Sequence, residues 1–154
     1  MSFLAVFICY IDRVNISVAI IPMQEQFGWS EAQTGIIFSI FYIGYVLTMI
    51  LGGILADKYG GKTVLGVGVL LWSIFTMLTP FFAYNGFLAL LFIRVLIGLG
   101  EGITFPSWHS LYARWIPFNE RTRSIAITNS GISAGTIFGY VVAALIIASY
   151  SWEW

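Results

Sequence analysis

Residues 33–56 read QTGIIFSIFYIGYVLTMILGGILA and run directly into Asp57-Lys58-Tyr59-Gly60-Gly61-Lys62. The first part carries no formal charge and exceeds the ~20 apolar residues that a helix needs to cross a bilayer core. The second part is a polar turn, rich in glycine and bearing both signs of charge. A long uncharged helix closed by a short charged turn is a unit of a multi-pass membrane protein.

Working outward, four more stretches have the same character, at about 1–23, 63–84, 87–113 and 123–150. Of 154 residues, 59% are hydrophobic, 18% aromatic and only 9% charged, and the mean hydropathy is +0.90. Soluble domains carry about 25% charged residues, so most of this chain is solvated by lipid. The runs are too long and unbroken for β-barrel strands of ~10 alternating residues. Seven basic and seven acidic residues cancel, which leaves no basic field for nucleic acid. The single cysteine, Cys9, cannot form an internal disulfide. Soluble enzymes, disulfide scaffolds and nucleic-acid modules are thereby excluded. Met1 passes straight into Phe3-Leu4-Ala5-Val6 without the basic lead of a secretory signal.

The connections are short. Helix 1 is expected to stop near Pro22. Ser30 is placed to cap helix 2, with Glu31 in its first turn and Gln33 at the reciprocal position. Pro80 and Asn85-Gly86 mark the end of helix 3, and Pro117-Phe118-Asn119 breaks the chain after helix 4. Lys58 and Lys62 lie in loop 2–3, and Arg114, Arg121 and Arg123 in loop 4–5, whereas loops 1–2 and 3–4 hold no Lys or Arg. The positive-inside rule makes loops 2–3 and 4–5 cytoplasmic. Trp152 and Trp154 suit an interface on the far side. An odd number of spans and an abrupt stop suggest an N-terminal piece of a longer transporter.

A charge near the bilayer centre costs ~2.5–3.5 kcal/mol on insertion scales, so it faces a cavity or a partner. Asp12 and Arg13 in helix 1, and Arg94 and Glu101 in helix 4, are such charges; His109 lies nearer the end of helix 4. Arg94 and Glu101 share one helix face, ~10 Å apart along the axis. Asp12 and Arg13 point about 100° apart. Arginines grip carboxylate or phosphate with a forked pair of donors. A carboxylate such as Glu101 or Asp12 can take up and release a proton as its surroundings change between wet and dry. The competing reading is that these charges only fasten helices together. Gly131, Gly135 and Gly139 form a four-residue stripe suited to close helix packing.

Gly52-Gly53-Ile54-Leu55-Ala56-Asp57-Lys58-Tyr59-Gly60-Gly61-Lys62 resembles the signature between the second and third helices of the major facilitator superfamily. Arg94-Val95-Leu96-Ile97-Gly98-Leu99-Gly100 is similar to its second motif. Asp12-Arg13-Val14-Asn15-Ile16-Ser17, Gly98-Leu99-Gly100-Glu101-Gly102-Ile103-Thr104-Phe105-Pro106 and Trp115-Ile116-Pro117 with Glu120-Arg121 resemble the anion:cation symporter family within it. The resemblance implies an all-α membrane fold: five transmembrane helices forming most of the N-terminal six-helix half. The sixth helix and the C-terminal half would be absent from 1–154. It implies that Arg13, Arg94 and His109 bind a small anion, that Glu101 and Asp12 couple protons, and that Gly53, Asp57, Lys58, Gly60 and Lys62 form the cytoplasmic gate motif. Thr136 stands where the superfamily's antiporter motif has a proline, which favours symport.

Gly98-Leu99-Gly100-Glu101-Gly102 lacks the spacing of a dinucleotide fingerprint, and neither zinc ligands nor a nucleophile elbow occur. Phe41, Tyr42, Tyr45, Phe81 and Phe82 are expected to face lipid or the interface. The expected function is secondary transport of a small, organic anion by proton-coupled symport and alternating access. Sodium coupling, inorganic phosphate as substrate, and a truncated, non-transporting chain are the alternatives. No cofactor is expected beyond the coupling ion, a proton or sodium. The expected partners are the anion, the lipid bilayer and the rest of the transporter, in a cell (inner or plasma) membrane.

Overall fold

The computed structural model describes residues 2–149, so Trp152 and Trp154 lie outside the described residues. Six helices follow one another: α1 (Ser2–Phe27), α2 (Glu31–Tyr59), α3 (Gly61–Tyr84), α4 (Phe87–Gly102), α5 (Thr104–Trp115) and α6 (Phe118–Ser149). They make five apolar spans, because α4 and α5 together form the single span Phe87–Trp115. The chain is an all-α integral membrane protein. Large apolar side chains such as Ile50, Leu70 and Met77 are exposed, as lipid solvation requires.

The element ends follow from local chemistry. The Ser30 backbone N–H donates to Gln33 Oε1 at 2.9 Å, and the Gln33 N–H donates to Ser30 Oγ at 3.3 Å. That reciprocal pair satisfies two N–H groups at the start of α2. Gly60 holds φ at +88°, a left-handed value that lets α3 begin with Gly60 alone between it and α2. α1 continues through Pro22 to Phe27 and α3 through Pro80 to Tyr84, past the points where proline suggested a stop. Inside a membrane, neighbouring helices make up for a missing N–H, so proline is tolerated there.

The stretch 87–113, read as one helix, is broken at Ile103. Pro106 is the physical reason. It has no N–H to donate to the Gly102 carbonyl, and its ring crowds that carbonyl. The Ser107 N–H resumes the ladder by donating to the Ile103 carbonyl at 3.1 Å.

The contacts divide the chain into two compact units, Met1–Gly35 with Thr122–Trp154, and Ile36–Arg121. In the first, α1 and α6 run parallel. Gly131, Gly135 and Gly139 of α6 lie against Phe3, Phe7 and Ile11 of α1 in register. A glycine every fourth residue removes the side chains along one ridge and brings the backbones together. In the second unit, α4 runs parallel to α2 and antiparallel to α3. Gly98 abuts the Phe41 carbonyl of α2, Gly102 abuts Tyr45 and Thr48, and Gly100 abuts Trp72 of α3. Phe41 is accordingly buried, not lipid-facing, while Tyr42 and Phe81 are exposed. The close approaches set glycine Cα–H groups against carbonyl oxygens, weak contacts worth about 0.5–1 kcal/mol each.

Candidate functional site

The glycines of α4 explain why Glu101 is buried. With Gly100 pressed on α3 and Gly102 on α2, the Glu101 side chain between them is enclosed. Glu101 is 1% exposed and Arg94 is 8% exposed. Both have interaction partners. They lie two turns apart on the same helix, so a fixed positive charge and a titratable carboxylate share one element. A buried carboxylate that kept its charge without compensation would be very costly, so its protonation state follows its surroundings.

Asp12 and Arg13 stand on α1, in the other unit, and both are half-buried. The Arg13 guanidinium lies 5.1 Å from the centre of the Tyr10 ring, one turn earlier on the same helix. That stacking restrains the guanidinium. His109 on α5 is exposed, with its ring stacked on Trp108 at 3.7 Å between centroids.

The turn between α2 and α3 is tied to α5. Asp57 Oδ1 accepts a hydrogen bond from Ser110 Oγ at 2.9 Å, and Arg114 donates to the Asp57 carbonyl. The Asp57 carboxylate is thus held by a residue that the motif alone did not indicate. Gly53 faces Pro106, and Gly61 abuts the Ser107 carbonyl, so the turn sits on the helix just beyond its break. Lys58 lies 5.3 Å from the Tyr59 ring, and Lys62 is exposed. Arg121 closes the far end of α5 by donating to the Ala113 carbonyl at 2.7 Å and the Ile116 carbonyl at 3.1 Å. A cation on the last carbonyls also suits the negative end of the helix dipole.

Sequence reasoning passed over three hydroxyls, Thr104, Ser107 and Ser110. Thr104 is 1% exposed and Ser107 is 0% exposed, and neither side-chain oxygen has a hydrogen-bond partner. An unpaired buried hydroxyl costs about 1–3 kcal/mol, so its retention calls for a reason. The available signal was their spacing of three residues from Glu101. Among the described residues no cluster of three or more His, Cys, Asp or Glu is placed to hold a metal ion.

Residues 2–154 match the profile of the Major Facilitator Superfamily. The chain is 46% identical over 152 residues to a probable anion transporter 4, chloroplastic, of Oryza sativa subsp. japonica, covering 99% of this chain and 26% of that protein. It is 44% identical to the chloroplastic ascorbate transporter of Arabidopsis thaliana, covering 99% of this chain and 28% of that protein. It is also 44% identical to the chloroplastic sodium-dependent phosphate transport protein 1 of Arabidopsis thaliana, covering 99% of this chain and 30% of that protein. The chain therefore spans less than a third of the length of these relatives.

Proposed function

The chain belongs to the Major Facilitator Superfamily, a family of transporters and not of enzymes, and on that premise we propose that it serves proton-coupled symport of a small organic anion by alternating access. The observation that carries this reading is the buried pair on α4. Arg94 supplies a permanent positive charge for the anion, and Glu101 supplies a site that gains and loses a proton. Arg13, Asp12 and His109 are proposed as further members of the anion and proton sites. The remainder of the transporter, which the longer relatives contain, is the proposed partner that completes the binding site. An organic anion is the preferred substrate class, supported by the relative named for ascorbate, whose charge sits on an enolate oxygen. The chloroplastic names of the relatives support a plastid membrane rather than the cell membrane.

The second reading keeps the anion site and changes the ions. A relative named as a sodium-dependent phosphate transporter favours sodium coupling and inorganic phosphate.

The deciding experiment is uptake of ascorbate and of phosphate by the full-length protein in liposomes, with pH and sodium gradients imposed separately. Uphill ascorbate uptake driven by the pH gradient is the expected result. Accumulation of phosphate driven by sodium alone would establish the second reading. Glu101→Gln is expected to abolish proton-driven accumulation while exchange of anion for anion continues. Arg94→Ala is expected to weaken anion binding about tenfold to a hundredfold, the loss of a charge-assisted contact. Full accumulation by the glutamine variant would remove Glu101 from the coupling role.

A further inference from the structure

The outer face of α6 differs from those of α2 and α3. α2 exposes aliphatic side chains such as Leu47, Ile50 and Ile54, and α3 exposes Leu70, Met77 and Phe81. Lipid is a sufficient solvent for these. On α6, Asn129, Ser133, Thr136 and Tyr140 follow one another at spacings of four, three and four residues, so they share one helix face. Asn129, Ser133 and Tyr140 are exposed, and Thr136 is half-buried. The four residues straddle the midpoint of Phe118–Ser149 and cover about 16 Å of its axis.

This is not the face that packs on α1. Gly131 and Gly135 meet Phe3 and Phe7, and Asn129 and Ser133 each stand two residues before one of those glycines, about 200° round the helix. Nor is it a face for lipid. An amide and two hydroxyls in the middle of a span would find no hydrogen-bond partner in hydrocarbon, and polar groups at that depth face a partner or a water-filled cavity. Thr136 needs neither, because its hydroxyl donates to the Ile132 carbonyl at 2.8 Å. The stripe carries no formal charge, so it does not hold the charged group of an anion. It offers neutral donors and acceptors beside the Tyr140 ring.

We infer that Asn129, Ser133 and Tyr140 form a subsite that reads the neutral, hydroxyl-bearing part of the transported organic anion. This rests on the proposed transport of an organic anion and narrows the substrate to one that carries hydroxyl groups. Asn129 and Ser133 lie one turn apart, about 6 Å along the axis, so both reach one small polyhydroxylated molecule. An alcohol group donates and accepts at once, and so do the Asn129 amide and the Ser133 and Tyr140 hydroxyls. The Tyr140 ring, two turns beyond Ser133, adds an apolar surface for the carbon skeleton. Inorganic phosphate has no such neutral part and gains little from this face. A site built around substrate hydroxyls disfavours an analogue without them, because its own polar groups are then left unpaired.

The test is cysteine scanning of the full-length protein, freed of its own cysteines, in sealed membranes. Asn129→Cys, Ser133→Cys and Tyr140→Cys are expected to react with a water-soluble methanethiosulfonate, because the thiolate that reacts forms in water. Val141→Cys and Leu145→Cys, exposed but turned about 100° or more from the stripe, are expected to stay unlabelled in lipid. Ascorbate at about ten times its Kd is expected to slow labelling at Ser133→Cys about tenfold, while phosphate leaves it unchanged. Asn129→Leu is expected to weaken ascorbate affinity about tenfold, the loss of one hydrogen bond, while Ser133→Cys in that background still labels. An unlabelled stripe, covered by another helix or by lipid, overturns the subsite. Equal protection by phosphate, or unchanged affinity in Asn129→Leu, overturns the reading of hydroxyls. Labelling without protection in a protein that transports ascorbate overturns the subsite and leaves the proposed function standing. A protein that neither transports ascorbate nor is protected by it overturns both.

Discussion

Gly60 holds φ at +88° between two membrane spans, and nothing lies within 4 Å of where its side chain would be. The space is open, so only the backbone conformation opposes a larger residue. Gly60→Ala is expected to cost about 1–2 kcal/mol, the penalty of left-handed backbone for an L-residue. A lowered melting temperature of the purified protein checks this, and an unchanged one would refute it. At this scale the sequence was legible where the chemistry is local. Ser30 and Gln33 stand three apart and cap α2 as their spacing suggests. It was not legible where partners are distant. Ser110 reaches Asp57 across 53 positions, and no spacing rule foretells that contact. Phe41 likewise looks like any lipid-facing aromatic until Gly98 is brought against its carbonyl. Thr104 and Ser107 were overlooked because hydroxyls in apolar helices ordinarily bond to their own backbone.

The elements are held together by glycine contacts rather than by apolar burial, since lipid is as apolar as the side chains it would replace. Two substitutions separate these roles. Gly98→Ala would drive a Cβ into the Phe41 carbonyl and is expected to destabilise by about 1–3 kcal/mol, because backbone cannot step aside cheaply. Gly66→Ala meets nothing within 4 Å and is expected to stabilise α3 by up to about 1 kcal/mol. Thermal unfolding in detergent compares them directly, and equal effects would reject the packing account. The stripe Gly131, Gly135, Gly139 was readable as a packing ridge, but its mate on α1 was not, because Phe3, Phe7 and Ile11 carry no mark of their role. The break at Ile103 escaped for a different reason. Hydropathy over a long window reports solvent preference and is blind to one missing N–H at Pro106.

For the whole molecule, number of spans and fold class were legible because lipid imposes length and composition directly. The distribution of Lys and Arg also commits the chain to an orientation that can be measured. In a Cys9→Ala background, cysteine introduced at Asn85 is expected to react with an impermeant maleimide added outside sealed, right-side-out vesicles. Cysteine at Lys62, at the other end of α3, is expected to stay unlabelled. Labelling of the Lys62 position from outside would invert the orientation. The parallel pairing of α1 with α6 bears on how such a chain is made. Phe3 is synthesised 128 residues before its neighbour Gly131 (131 − 3 = 128). At about 5–20 residues per second the interval is on the order of ten seconds. Within it α2, α3, α4 and α5 are made and can pair inside their own unit, while the α6 face that meets α1 does not yet exist. Birth order and assembly order therefore diverge: α1 is made before α2, α3, α4 and α5 yet meets α6 only after all of them, and a chaperone or the insertion machinery has that whole interval in which to hold it.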